Sequence, residues 1–168
     1  ELRAYLGIIL GAILLITVNI AGKFGNPFLA FHHAAFQVGS IITTTGYSTV
    51  DFDTWPTFSK TVLVLLMFIG ASAGSTGGGI KVSRIVILAK SVKKELKQYL
   101  HPHSISKIKM DGKPVEHEVV RSINVFLIAY LLIYAVSMLI VSLDNFDFTT
   151  TFTSVAATIN NIGPGLDL

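Results

Sequence analysis

The chain has 168 residues, 51% hydrophobic and 14% charged, with a mean hydropathy of +0.64. Soluble domains are about a quarter charged, so this chain lacks the charge to cover a water-facing surface, and the same numbers exclude intrinsic disorder. It has no cysteine, which excludes a disulfide framework, a thiolate metal site and a cysteine nucleophile. The net charge of +3 matters less than its distribution.

Two blocks without charge dominate, residues 4–22 and 122–143, both rich in Leu, Ile, Val and Ala. About 20 apolar residues cross the roughly 30 Å hydrocarbon core as a helix, so both blocks read as membrane spans. The alternative, a buried helix of a soluble protein, is disfavoured by two such blocks in so short a chain. The first block is too long for a signal-peptide h-region and has neither a basic n-region nor a small-residue cleavage site beside it. The chain begins with Glu1 and is expected to be a piece of a longer one.

Charge orients the spans. Lys81–Lys113 holds nine of the thirteen basic residues: Lys81, Arg84, Lys90, Lys93, Lys94, Lys97, Lys107, Lys109 and Lys113. Only Glu95 and Asp111 oppose them there. Loops rich in Lys and Arg stay in the cytoplasm, so this stretch is expected to be cytoplasmic, with Arg3 and Arg121 at the cytoplasmic ends of the spans. Asp51, Asp53, Asp144, Asp147 and Asp167 then fall on the opposite side. A nucleic-acid patch is the competing reading of a basic run. Its position beside a membrane argues against it, and no nucleic-acid partner is expected.

Between the spans, Phe24–Val50 has no formal charge but much Thr, Gly and His. Asn26-Pro27 signals a helix start. The run from Phe28 to Ile42 is too short to cross a bilayer and ends in Thr43-Thr44-Thr45-Gly46-Tyr47-Ser48. A short helix followed by an extended, Gly-containing segment reads as a re-entrant loop. Such backbone is tolerated at membrane depth only when buried in protein or lining a water-filled cavity.

A second helix start at Trp55-Pro56 leads into the apolar Thr61–Ile69. This breaks into Gly70-Ala71-Ser72-Ala73-Gly74-Ser75-Thr76-Gly77-Gly78-Gly79, where five of ten residues are Gly. Each Gly costs a helix interior about 1 kcal/mol relative to Ala, so no continuous helix is expected before Ile80, from which helix resumes to about Leu100. The break reads as a candidate gate. A plain interhelical loop at the membrane surface is the alternative, but too few residues precede the break for a full crossing. The stretch is no phosphate-binding P-loop, because Ile80 separates Gly79 from Lys81 and Val82 follows, against the required Gly-Lys-Ser/Thr.

A shift of 117 residues matches the chain to itself without gaps. Leu10, Ala12, Leu14 and Leu15 fall on Leu127, Ala129, Leu131 and Leu132; Phe31 on Phe148, Val38 on Val155, Ile42 on Ile159 and Gly46 on Gly163. The second copy carries a short helix near Phe146–Ala157 and then Thr158-Ile159-Asn160-Asn161-Ile162-Gly163-Pro164-Gly165. Gly46 and Gly163 are where positive φ costs no steric clash.

These motifs carry a resemblance. Thr44-Thr45-Gly46-Tyr47 resembles the Thr-Val-Gly-Tyr-Gly filter of potassium channels. The Thr-Thr-Gly-Tyr segment, the Gly-Ser-Thr-Gly-Gly-Gly-Ile-Lys loop and the Asn-Asn-Ile-Gly-Pro-Gly segment, in that order, resemble the third and fourth repeats of the Trk/Ktr/HKT family of potassium uptake proteins. The resemblance implies an all-α membrane protein of potassium-channel-like repeats, each helix, re-entrant pore helix and filter, helix, pseudo-fourfold in the full chain. The first two repeats and the closing helix are absent. Residues 1–100 are then one complete repeat (span 4–22, pore helix 27–42, filter 43–48, broken helix 56–100), 101–116 a cytosolic linker, and 117–168 an incomplete repeat (span 119–143, pore helix 146–157, filter 158–165).

The implied function is potassium transport across the plasma membrane, here the bacterial inner membrane. Filter residues would be Thr43, Thr44, Thr45, Gly46 and Tyr47 with Asn160, Asn161, Ile162, Gly163 and Pro164, with K+ at the carbonyls of Thr44, Thr45, Asn161 and Ile162. Carbonyls replace the hydration shell of the ion, and one matching Gly per filter implies K+ preference with some Na+ permeation. Gly70, Gly74, Ser75, Thr76, Gly77, Gly78, Gly79 and Lys81 would form the gating loop. Na+ or H+ is the candidate coupled ion, and no covalent cofactor is expected. The resemblance further implies a cytosolic nucleotide-binding regulatory subunit and a homodimer of the full-length chain. A non-conducting membrane anchor or assembly module is the alternative function. An enzyme is disfavoured, since no nucleophile–base set, metal cluster or paired carboxylates lie in the membrane, and a homotetrameric two-span channel would need identical filters.

Other residues take plain readings. Lys81 and Arg84 serve at least as well as cytoplasmic anchors. Asp51 and Asp53 read as solvated loop residues before cation-concentrating ones. His32 and His33 point apart and suit packing, Trp55 suits an interfacial belt, and His101, His103 and His117 lack companions for a metal. Ile108–Val115 reads as a hairpin around Asp111-Gly112.

Overall fold

The computed structural model describes residues 1–101, 108–163, 165 and 166. His103, Lys107, Pro164 and Asp167 lie outside the described residues. The elements run α1 (Leu2–Phe24), α2 (Pro27–Ile42), α3 (Thr57–Phe68), β1 (Ile69–Gly70), β2 (Ile80–Lys81), α4 (Val82–Leu100), β3 (Lys109–Met110), β4 (Lys113–Pro114), α5 (His117–Val141) and α6 (Phe148–Ile159). Short 3-10 turns lie at Phe52–Thr54 and Ser142–Asp144.

Among the described residues two helices are long and apolar enough to cross a membrane: Leu2–Phe24, with mean hydropathy 2.3, and His117–Asp144, at 2.5. Only 22% and 11% of their most apolar windows are buried. An apolar helix exposed on most of its surface is unstable in water, so these are not core helices of a soluble fold. Helix α3, at 12 residues, is too short to cross.

Helix ends follow local chemistry. Helix α1 stops at Gly25, in the left-handed region with φ 63°. Asn26 then caps α2 by accepting the Phe28 amide at 2.9 Å, and Pro27 fills the first helical position. Ala30, Ala34 and Val38 form a fully buried stripe along α2, and small side chains at this spacing let helices approach closely. Ile16 and Ile20 of α1, Leu63 and Met67 of α3, and Val155 and Ala156 of α6 complete the core. A polar contact ties α3 to α1: Ser59 Oγ donates to Asn19 Oδ1 at 2.7 Å. Phe68, Tyr134 and Phe152 form an aromatic joint between α3, α5 and α6, with ring centroids 5.5–6.0 Å apart.

The structure moves some expected boundaries. The second short helix begins at Phe148 and ends at Ile159, against the expected 146–157. Asp147 sets the start, because its carboxylate accepts the amides of Thr149 at 2.9 Å and Thr150 at 3.4 Å. Thr158 and Ile159 are therefore helical, and the segment after the helix begins at Asn160. Trp55 is also corrected: it is 3% exposed and part of the core, where an interfacial belt would turn it outward. The hairpin forms, with Met110 paired to Lys113. Asp111 and Gly112 both have positive φ, the requirement of a two-residue type I′ turn.

Candidate functional site

The two short helices end in the same turn. After α2, the Thr44 amide bonds the Ile41 carbonyl at 3.0 Å and the Thr45 amide bonds the Ser40 carbonyl at 2.9 Å. After α6, the Asn161 amide bonds Thr158 at 3.0 Å and the Ile162 amide bonds Ala157 at 2.8 Å. Both are Schellman motifs, which place the residue after the cap in the left-handed region. That residue is Thr44 at φ 57° in one copy and Asn161 at φ 55° in the other. Two residues further, Gly46 and Gly163 are again left-handed, at φ 78° and 110°. The caps agree too, Thr43 at φ −88°, ψ −2° and Asn160 at φ −90°, ψ 3°. Each pair is 117 residues apart, so the repeat seen in side chains is also a repeat of backbone conformation.

The turn residue is ordinarily Gly. A β-branched residue in its place is strained by about 1–3 kcal/mol, and such strain clusters at functional sites. Successive residues in alternating backbone regions turn their successive carbonyls in different directions. The C-terminal ends of α2 and α6, where the helix dipole is negative, lead into these turns. Side chains hold each segment to its own helix. Ser40 Oγ donates to the Tyr47 carbonyl at 2.5 Å, and His33 Nδ1 lies 2.9 Å from Thr49 Oγ1. At the position matching Thr49, the Leu166 amide donates to Thr153 Oγ1 at 3.0 Å.

The Gly-rich loop reaches both turns. It leaves α3 through β1 and returns through β2, which pair in parallel with Ile69 opposite Ile80. This closed neck places it among compact Ω-type loops. Lys81 braces it from inside, donating to the Ser75 carbonyl at 2.9 Å, Ser75 Oγ at 3.0 Å and the Gly77 carbonyl at 2.5 Å. The Gly78 amide donates to Thr44 Oγ1 at 3.3 Å. A Cβ built on Gly77 would lie 3.6 Å from the Thr43 carbonyl oxygen, and one on Gly78 would lie 1.9 Å from the Asn160 carbonyl oxygen. Consecutive glycines therefore sit on repeat-equivalent carbonyls, and any side chain at Gly78 would break the contact.

Of the residues singled out from sequence, Thr43, Thr44, Asn160, Gly77, Gly78 and Lys81 meet in this one region. Gly70 forms the neck: a Cβ there would lie 2.2 Å from the Gly78 carbonyl oxygen. Gly74, Ser75 and Thr76 are exposed on the loop, and Gly79 closes the neck against Gly70. Pro164 is outside the described residues. Arg84 lies over the Phe126 ring, 4.0 Å from its centroid. Asp51 accepts the Asp53 amide at 3.0 Å, and Lys60 pairs with Asp53 at 3.4 Å. Tyr130, which donates to Asn160 Oδ1 at 2.9 Å, was not legible in the sequence, because it sits in an apolar span with nothing local to mark it. No group of three or more metal-binding side chains occurs among the described residues.

The helical layout and the duplicated turn define an all-α membrane fold built of channel-like repeats. A family model described as a cation transport protein, TrkH, matches residues 25–167, and the chain belongs to that family. The Trk system potassium uptake protein TrkH of Vibrio parahaemolyticus is 42% identical over 144 residues, 86% of this chain and 30% of that protein. TrkH of Escherichia coli K12 is 36% identical over 168 residues, 99% of this chain and 35% of its own length. The crystal structure of the potassium transporter TrkH from Vibrio parahaemolyticus superposes with a TM-score of 0.91 at 39% identity, covering 98% of this chain and 36% of the other. The chain spans 30–36% of the length of these relatives.

Proposed function

We propose that this chain forms part of the conducting path of a potassium transporter. K+ sheds water and passes the backbone carbonyls of Thr44, Thr45, Asn161 and Ile162, within filter segments formed by Thr43–Tyr47 and Asn160–Pro164. The observation that carries the reading is the duplicated turn, with left-handed residues at Thr44 and Gly46 and at Asn161 and Gly163. The relatives' names, potassium uptake proteins, supply the ion.

The physics of passage follows. Carbonyl dipoles substitute for hydration without a formal charge, so the ion is bound well enough to enter and weakly enough to leave. The negative helix ends lower the energy of a cation at the turns. The loop from Gly70 to Gly79, braced by Lys81, sits against Thr43, Thr44 and Asn160 and blocks the path until it moves. The basic stretch Lys81–Lys113 faces the cytoplasm of a bacterial inner membrane. The full-length chain works as a homodimer, with a cytosolic nucleotide-binding subunit as regulator and Na+ or H+ as the candidate coupled ion.

The test is growth of a potassium-uptake-deficient bacterial strain on limiting K+ with the full-length protein. Rescue that is lost or altered in cation preference by Gly46→Ser supports the reading. A full-length protein that inserts but carries no K+ supports the alternative of a membrane anchor or assembly module.

A further inference from the structure

The two turns share a backbone but not the means of holding it. In the first, Thr43 Oγ1 donates to the Gly39 carbonyl at 2.7 Å and pairs with Thr45 Oγ1 at 2.8 Å. In the second, Asn160 Nδ2 donates to the Ala156 carbonyl at 2.8 Å. Gly39 and Ala156 are repeat-equivalent, so this first bond is conserved in geometry. The second bond is not. Position 162, which matches Thr45, is Ile, so no hydroxyl within the turn is available to Asn160. Its side-chain oxygen accepts instead from Tyr130 of α5, at 2.9 Å. The residue matching Tyr130 in α1 is the apolar Ile13. The cap side chain of the first turn is therefore satisfied within the turn, and that of the second is held by the membrane span beside it.

We propose that Tyr130 is a positioning residue for the second filter and for the seat of the loop, acting through Asn160. Asn160 is fully buried, so the Tyr130 hydroxyl and the Ala156 carbonyl fix its amide without competition from water. Its backbone is the surface against which Gly78 closes: a Cβ on Gly78 would meet its O, C and Cα atoms at 1.9, 2.6 and 3.3 Å. Rotating the Asn160 peptide alters that seat and turns the following carbonyls, including Asn161. Tyr130 itself is kept in place by stacking on Phe126, with centroids 6.2 Å apart. Removing the hydroxyl alone leaves this packing intact. The inference rests on the pore reading above and adds a residue from outside both filter segments.

The experiment compares the full-length wild-type protein with Tyr130→Phe in proteoliposomes, reading the K+/Na+ permeability ratio from reversal potentials. Tyr130→Phe is expected to shift the ratio roughly two- to tenfold, the effect of losing one buried hydrogen bond, while K+ still passes. Tyr134→Phe is the control. Tyr134 lies one turn along α5 and donates to the Phe152 carbonyl at 2.8 Å, so it loses an equal bond without touching the filter, and its ratio is expected to match wild type. An unchanged ratio in Tyr130→Phe, or an equal shift in Tyr134→Phe, overturns the proposal. Wild-type protein without K+ flux overturns the pore reading itself and the proposal with it. If Tyr130→Phe does not assemble, Tyr130→Met, which also lacks the hydroxyl, decides: a shifted ratio supports the proposal, and a wild-type ratio overturns it.

Discussion

Gly78 and Asn160 are in backbone contact although they lie 82 residues apart, close enough that one methyl group on Gly78 would sit 1.9 Å from the Asn160 carbonyl oxygen. Backbone overlap of this kind is relieved only by moving one of the two segments. Gly78→Ala is therefore expected to lift the loop, at a cost to the seated state of about 1–3 kcal/mol. Unstimulated K+ flux through the full-length protein should rise roughly tenfold. Gly11→Ala, at a position with open space, should leave flux at the wild-type level. Radiotracer uptake into proteoliposomes measures both.

Gly46 sits at φ 78°, where an L side chain costs about 1–2 kcal/mol. Gly46→Ser should relax the segment toward negative φ and turn its carbonyls. The expected result is a lower K+/Na+ permeability ratio, by roughly tenfold, with protein yield unchanged. An unaltered ratio would count against a filter at this turn.

The loop is held by its brace as well as by its seat. Lys81→Met removes three donated bonds while keeping the length of the side chain. Unstimulated flux should rise by roughly three- to tenfold. Deleting residues 74–79 removes seat and brace contacts together and should raise flux further. Equal flux in deletion and wild type would make the loop a spacer.

Asp147 caps α6, and its carboxyl is held below the ordinary value of 3.8, chiefly by the Thr150 hydroxyl; desolvation opposes this, and the amides of Thr149 and Thr150 add to the lowering. A carboxyl with a lowered folded-state pKa stabilises the fold above its unfolded value and loses that contribution as pH falls toward the folded one. The stability difference between wild type and Asp147→Asn should be constant near neutral pH. It should shrink only once pH drops below 3.8. Thermal unfolding of the detergent-solubilised full-length protein across that range checks the sign.

Much of the architecture follows from local rules. The two spans are legible because hydrocarbon leaves an apolar helix as the cheapest solution for 20-odd residues. The break after Ile69 is legible because Gly cannot sustain helix. The boundaries of α2 follow from Asn26-Pro27 at one end and the Thr-rich turn at the other. Helix α6 starts at Phe148, two residues later than the sequence predicts, because the carboxylate of Asp147 caps it there. Gly46 and Gly163 were legible as left-handed positions. Thr44 and Asn161 were not, since propensity assigns the C′ position of a Schellman turn to Gly and only the completed turn forces another residue there.

The amino-acid sequence by itself determined that this chain lies in a membrane, which helices cross it and which two segments repeat, because those properties depend on composition and on spacing within a few residues. The tertiary structure alone decided that Gly77 and Gly78 rest on Thr43, Thr44 and Asn160, that Tyr130 holds Asn160, and that Trp55 packs inward. Those contacts join residues tens of positions apart, and they exist only once packed helices bring two short helix ends and one loop to the same depth.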